Sequence, residues 1–112
     1  MTEKIQPEIF DVTLKNIKDF GNDTRHFELY YDPGVSMRFL AGQFVNVLLP
    51  HEGKLIRRAY SIASAPLVAD HFELVVKLVQ GGIVTNWFWS LKGGEHFQVQ
   101  GPYGKFVLPD AI

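Results

Sequence analysis

Apolar and polar residues alternate along most of this chain with a period of two, the signature of β-strands. Phe10, Val12 and Leu14 alternate with Asp11, Thr13 and Lys15 and predict a first strand. Asp19-Phe20-Gly21-Asn22-Asp23 follows as a turn, rich in residues that tolerate unusual backbone angles. Residues 26–31 predict a second strand, closed by Asp32-Pro33-Gly34. Residues 42–50 predict a third, closed by the polar turn His51-Glu52-Gly53-Lys54. Residues 56–64 predict a fourth that stops at Ala65-Pro66. Phe72, Leu74, Val76 and Leu78 alternate with Glu73, Val75, Lys77 and Val79 in a fifth, and Gln98-Val99-Gln100 lies in a sixth. Before that sixth strand the period changes. Val84, Trp87, Phe88 and Leu91 recur at spacings of three and four, which predicts a helix with Trp87 toward the core and Trp89 half exposed. Lys92-Gly93-Gly94 is expected to end it with a basic last turn and glycine. Six short strands, Gly/Pro turns and one helix predict a mainly all-β fold, a small antiparallel barrel.

The chain has 112 residues, and we read residues 1–112 as one domain with a polar, frayed stretch at 1–7. It contains no cysteine, which excludes disulfides, thiolate nucleophiles and cysteine-held zinc or iron–sulfur clusters. A net charge of −1 gives no drive toward nucleic acid or anionic membranes. Met1-Thr2-Glu3-Lys4 begins no apolar run, so no signal peptide is expected, and no apolar stretch nears the ~18 residues of a membrane helix. The expectation is a cytoplasmic protein. His26, His51, His71 and His96 are scattered without metal-ligand spacing, so no metal is expected. Ser61 and Ser64 lack the His and Asp pattern of a serine hydrolase, and no Walker-type or Gly-x-Gly-x-x-Gly loop is present.

Chemistry concentrates in three places. In Arg58-Ala59-Tyr60-Ser61-Ile62-Ala63-Ser64, strand alternation points Arg58, Tyr60 and Ser64 the same way. Arg58 offers a planar fork of donors suited to a phosphate, and Tyr60 a ring face and a hydroxyl. The plainer alternative is a solvated strand charge beside a barrel aromatic. Adjacent Arg57 faces away and is given no role. Gly81-Gly82-Ile83-Val84-Thr85 stands where the helix begins, where free N–H groups and the helix dipole favour an anion. The alternative there is ordinary turn chemistry with Thr85 as the cap. One pyrophosphate bridging the two places would account for both. Gly101-Pro102-Tyr103-Gly104-Lys105-Phe106 reads as a tight turn after the last strand, holding a packed Tyr103 and Phe106.

With these residues in hand, the chain resembles the flavin-binding domain of ferredoxin–NADP reductase-type oxidoreductases. Arg58-Ala59-Tyr60-Ser61 matches that family's Arg-x-Tyr-Ser flavin motif, and Gly82-Ile83-Val84-Thr85 its Gly-x-x-Ser/Thr phosphate motif. Gly101-Pro102-Tyr103-Gly104-Lys105-Phe106 matches Gly-Pro-x-Gly-x-Phe, and Ala41-Gly42-Gln43-Phe44 matches the start of a family strand. The matches run in family order over residues 41–106.

The resemblance implies a six-stranded antiparallel Greek-key barrel with one capping α-helix. It implies FAD, in preference to FMN, as the cofactor. Arg58 would contact the flavin phosphate, with Ala59 beside it and Tyr60 packed on the ring or ribityl chain. Ser61 would lie near the redox-active N5 atom and tune hydrogen bonding there, the one catalytic assignment made. Val76, Lys77 and Leu78 would run beside the flavin and offer backbone bonds. Gly82, Ile83, Val84 and Thr85 would hold the phosphate from the helix end. Family reductases continue into a second domain that binds NADPH or NADH. The residues past the barrel are too few for one, so NAD(P)H is expected only through an absent domain or a partner. The expected function is to hold flavin for electron or hydride transfer between NAD(P)H and an acceptor protein. The alternatives are a nucleotide- or partner-binding barrel without redox activity, a barrel acting on a flavin precursor, and a single-stranded nucleic-acid barrel. The charge balance argues against the last.

Overall fold

The computed structural model describes residues 7–64 and 70–104. Seven elements follow in order: β1 (Glu8–Asp19), β2 (Thr24–Tyr31), β3 (Phe44–His51), β4 (Lys54–Ser61), β5 (His71–Lys77), α1 (Ile83–Ser90) and β6 (His96–Tyr103). The strands form one antiparallel sheet in the order β4-β3-β6-β1-β2-β5. β6 slots between β1 and β3, the crossing that makes the topology a Greek key. The sheet curls until its two edges meet. There Ile62 bridges Leu74, and the Ala63 N–H donates to the Glu73 carbonyl at 2.8 Å. Among the described residues, β4 and β5 are paired nowhere else, so the barrel is zipped at one end of this seam and open along the rest.

The period of two does the expected work. Val12, Leu14, Phe27, Leu29, Val45, Val47, Phe72, Leu74, Val76 and Val99 all bury their side chains inside. Each large one contributes about 1.5–3 kcal/mol over an exposed position. α1 closes one end of the barrel with Val84, Phe88 and Leu91 inward. The Phe88 ring packs 4.8 Å from Phe27, 5.4 Å from Tyr60 and 6.1 Å from Phe97, centroid to centroid. Trp87 is only partly buried and rests on Phe88 and Phe97. Trp89 is also partly buried, with the Arg25 guanidinium 5.1 Å from its ring centroid.

Three sequence expectations change. β1 runs further than the alternation shows, because a bulge between Leu14 and Asn16 resets the register. That brings Ile17, three residues after Leu14, back against the core. The helix ends at Ser90 with Leu91 as its cap, so Lys92 lies outside it and no basic last turn exists. Glu95 organises that corner instead. Its carboxylate accepts the N–H groups of Lys92 (2.9 Å) and Gly93 (2.8 Å), which hold its pKa below the ordinary carboxylate value. Finally, Gly101, Pro102 and Tyr103 are strand, not turn. A Cβ on Gly101 would come within 2.9 Å of Val45 Cγ1, so glycine is what lets β6 cross β3 closely. Residues 1–6, Ala65-Pro66, and Lys105 with Phe106 lie outside the described residues.

Candidate functional site

The open half of the seam holds a cleft of about 280 Å³. β4 lines it with Arg58, Ala59 and Tyr60, and β5 with Lys77. Val79 of the following loop and residues 82–85 at the start of α1 complete it. The two sequence motifs, well over twenty positions apart, thus face each other across one gap.

Strand register places the β4 residues. Tyr60 pairs with Val45 and Arg58 with Val47, both buried, so Arg58 and Tyr60 share the inward face of β4 near its open edge. Tyr60 is held edge-on to Phe88 at 86°, which fixes its ring plane. Burial pushes the Tyr60 phenol pKa up, and Arg58 partly offsets that. Arg58 itself is exposed and donates through Nη1 to the Arg57 carbonyl at 2.8 Å. Ser61 falls on the opposite face of β4, exposed and paired with Phe44. It does not line the cleft. Ser64 turns to the seam, where its Oγ accepts the Glu73 N–H at 3.0 Å.

The helix side is tightly made. Gly82 is the N-cap, with an extended backbone (φ −76°, ψ 129°) and no side-chain cap hydrogen bond. Thr85 is buried, and its hydroxyl accepts from Val79 N and donates to Val79 O, both at 3.1 Å. Thr85 therefore ties the loop to the helix and does not cap it. The first-turn N–H groups of Ile83, Val84 and Thr85 have no intrahelical acceptor, and these residues line the cleft. No acidic residue sits in that turn. A Cβ on Gly82 would meet Thr85 Oγ1 at 2.9 Å and Val79 O at 3.1 Å, so only glycine leaves this corner relaxed.

The other expected residues are placed differently. Val76 is fully buried with its side chain in the core, and the Leu78 N–H is spent on the Asp23 carbonyl at 2.7 Å. Neither lines the cleft. Two positions escaped the sequence reading. Val79, 59% exposed, forms an apolar lip that strand alternation alone does not mark as special. Gln43, buried, accepts the Leu40 N–H and donates to the Gly104 carbonyl, each at 2.8 Å, while its own carbonyl takes the Ile62 N–H. It pins the ends of three segments. Its position in Ala41-Gly42-Gln43-Phe44 was the one available signal.

The lining chemistry fits a nucleotide diphosphate beside a flat ring. Two cations, a row of free N–H groups and the helix dipole converge, with no carboxylate among the lining residues. Tyr60, Val79 and Ile83 add apolar surface. Comparison with known proteins agrees. The oxidoreductase FAD-binding domain family matches residues 11–108. Ferredoxin–NADP reductase B of Sorangium cellulosum (strain So ce56) is 36% identical over 103 residues, covering 92% of this chain and 42% of that protein. The crystal structure of the Amycolatopsis cytochrome P450 reductase GcoB superposes with a TM-score of 0.82 at 31% identity, over 96% of this chain and 32% of that one. A ferredoxin NADP+ reductase from Neisseria gonorrhoeae with bound FAD and NADP does so at 0.76 and 26%, over 91% and 40%. The chain thus spans less than half the length of these relatives. It belongs to the oxidoreductase FAD-binding domain family and is an FAD-binding domain of the ferredoxin–NADP reductase type.

Proposed function

We propose that this domain holds FAD for electron or hydride transfer between NAD(P)H and an electron-acceptor protein, with the nicotinamide presented by a separate domain or partner. The carrying observation is the convergence of Arg58, Tyr60, Lys77 and the start of α1 on one cleft. When bound, FAD supplies the redox chemistry, accepting hydride and passing on electrons. The chain's own residues bind and orient it. Arg58 and Lys77 neutralise the diphosphate from the two edge strands. The N–H groups of Ile83, Val84 and Thr85 complete its anion site, while Gly82 keeps the approach clear. Tyr60 packs on the ring or ribityl portion with Ala59 beside it. Ser61, the next residue along β4, would tune hydrogen bonding at the redox-active edge of the bound flavin. The diphosphate-sized donor set favours FAD over FMN.

The relatives' greater length supports assigning the NAD(P)H step to chain outside this domain. No described helix is long and apolar enough to cross a membrane. The cytoplasm, where NAD(P)H is supplied, is the proposed setting.

The test is a visible absorption spectrum of the purified chain before and after FAD addition and removal of the excess. A retained flavin band is expected. In Arg58→Ala the loss of two charge-assisted bonds at about 1.5 kcal/mol each weakens affinity by about 150-fold. The melting temperature of the flavin-free chain stays unchanged, because Arg58 is exposed and, among the described residues, bonds only to its neighbour's carbonyl. Unchanged FAD affinity in that variant would overturn the phosphate assignment. Failure of the reduced, FAD-loaded chain to pass electrons to any acceptor would favour a binding module without redox activity.

A further inference from the structure

The outward face of β2 and β5 gathers a second set of polar side chains, on the side of the sheet away from its core. Alternation that buries Phe27, Leu29, Phe72 and Leu74 turns His26, Glu28, His71 and Glu73 outward. The antiparallel register sets Glu28 directly opposite Glu73, with His71 and His26 on either side. Ligand atoms of Glu28, His71 and Glu73 lie within 4.8 Å of one another. His71 Nε2 stands 3.7 Å from Glu73 Oε2, and His26 Nε2 contacts Glu73 Oε1. We propose that His26, Glu28, His71 and Glu73 form a binding site for one first-row divalent cation of the zinc type.

Three observations carry this. The first is donor chemistry. Two imidazole nitrogens with two carboxylates suit zinc and its neighbours, whereas calcium and magnesium select all-oxygen sets. The second is the outer set of partners. Asp70 Oδ1 sits 2.7 Å from His71 Nδ1 and orients the ring, with Nε2 on the side of Glu73. The Tyr30 ring stacks on His71 at 4.6 Å. The Asn16 amide donates to Glu28 Oε1 at 2.7 Å, and the Tyr30 hydroxyl lies 3.4 Å from the same oxygen. The third is local charge. His26 Nε2 lies against the Glu73 carboxylate. Two carboxylates face each other across a ladder, where like charges oppose pairing. A divalent ion answers that opposition.

The geometry is within reach. Tetrahedral zinc with bonds of about 2.05 Å sets ligand atoms about 3.3 Å apart, so side-chain rotations of roughly 1.5 Å close the shell. The ion would clip edge strand β5 to β2. Glu73 also carries the seam, through its N–H to Ser64 Oγ and its carbonyl to Ala63 N. Metal at Glu73 would therefore brace the zipped end of the barrel from outside.

The experiment takes the purified 112-residue chain, stripped with a chelator, and titrates it with Zn2+ by calorimetry. Co2+ is added to a parallel flavin-free sample to read its ligand-field spectrum. One ion per chain is expected, with a tetrahedral cobalt spectrum and a melting temperature raised by roughly 10 °C at a hundredfold excess over Kd. Glu28→Gln keeps an oxygen for Asn16 and so keeps the fold, and His71→Gln is the second variant. Each lowers affinity by at least about tenfold, while His51→Gln, outside the cluster, leaves it unchanged. Absence of one-to-one binding in the unmodified chain, or binding indifferent to both Glu28→Gln and His71→Gln, overturns the site.

Discussion

Gly82→Ala tests whether the corner between β5 and α1 is built as tightly as it stands. The backbone at Gly82 suits alanine, with φ −76° and ψ 129°, so no conformational strain is introduced. The difficulty is space. The new methyl would lie 2.9 Å from Thr85 Oγ1, 3.1 Å from Val79 O and 3.3 Å from Val79 Cβ. Carbon contacts are comfortable only at about 3.5–4.0 Å, so all three are short at once. Thr85 cannot step aside freely, because its hydroxyl is bonded to both Val79 N and Val79 O. Rotating it sacrifices two hydrogen bonds, about 1 kcal/mol each. Alanine is also a poorer N-cap than glycine by about 0.5 kcal/mol. Against this stands about 0.5–1 kcal/mol gained from a stiffer unfolded chain. The net is a loss of roughly 2 kcal/mol, or about 10 °C in melting temperature for a domain of this size. Urea unfolding followed by the fluorescence of Trp87 and Trp89, both on α1, reads it directly. The same substitution made in Thr85→Ala should cost clearly less, since the nearest obstacle and its bonds are already gone. Full additivity of the two changes, or a Gly82→Ala chain as stable as the unmodified one, would refute this account.

Two further outcomes follow from polar groups elsewhere. Tyr31 has its phenol pKa pushed up to about 12 by burial, and its hydroxyl, near the Met37 backbone, lacks the geometry of a hydrogen bond. Tyr31→Phe should leave stability within about 0.5 kcal/mol or raise it, and a loss above about 1 kcal/mol in urea unfolding would show that the hydroxyl is satisfied. Glu28 has a carboxyl pKa lowered chiefly by the Asn16 amide, so its contribution is complete above the ordinary glutamate range, about 4.3, and fades as pH falls through the folded value. Asn16→Ala should cost about 1 kcal/mol at pH 7 in chelator, and the gap to the unmodified chain should close below pH about 4. A gap independent of pH would contradict the assignment.

What the sequence displayed and what it hid divide along physical lines. β2 and β5 bury one clean face each, so a period of two marks them, whereas β3 buries Val47, Leu48 and Leu49 in succession and is marked by its apolar run. β1 carries a bulge after Leu14, and no fixed period survives an extra residue. Gly101-Pro102 has turn composition but strand conformation, because the glycine answers to Val45 on a neighbouring strand. The Arg58-Ala59-Tyr60 and Gly82–Thr85 motifs are local and so were legible one at a time. Their meeting depends on the seam between the two sheet edges, which no local pattern encodes. The resemblance places Val76 and Leu78 beside the flavin through their backbones, a placement no side-chain pattern encodes; the Val76 side chain packs in the core and the Leu78 N–H bonds the Asp23 carbonyl. His26 and His71 share a face only because β2 and β5 pair, so spacing rules built on short motifs pass over them.

The half-zipped seam also bears on how the empty protein keeps to itself. An unpaired strand edge is a template for another chain, and sheets discourage that pairing with charge along the edge. β4 is such an edge, and Lys54, Arg57 and Arg58 stand along it, which gives Arg57 a use that ligand binding does not. The protection therefore changes character with occupancy. Without FAD, cation repulsion guards the edge; in the proposed binding mode the diphosphate would neutralise Arg58 and the ligand would cover the gap. Salt at physiological strength screens charges beyond about 8 Å. Raising it should promote self-association of the empty chain while leaving the loaded one monodisperse.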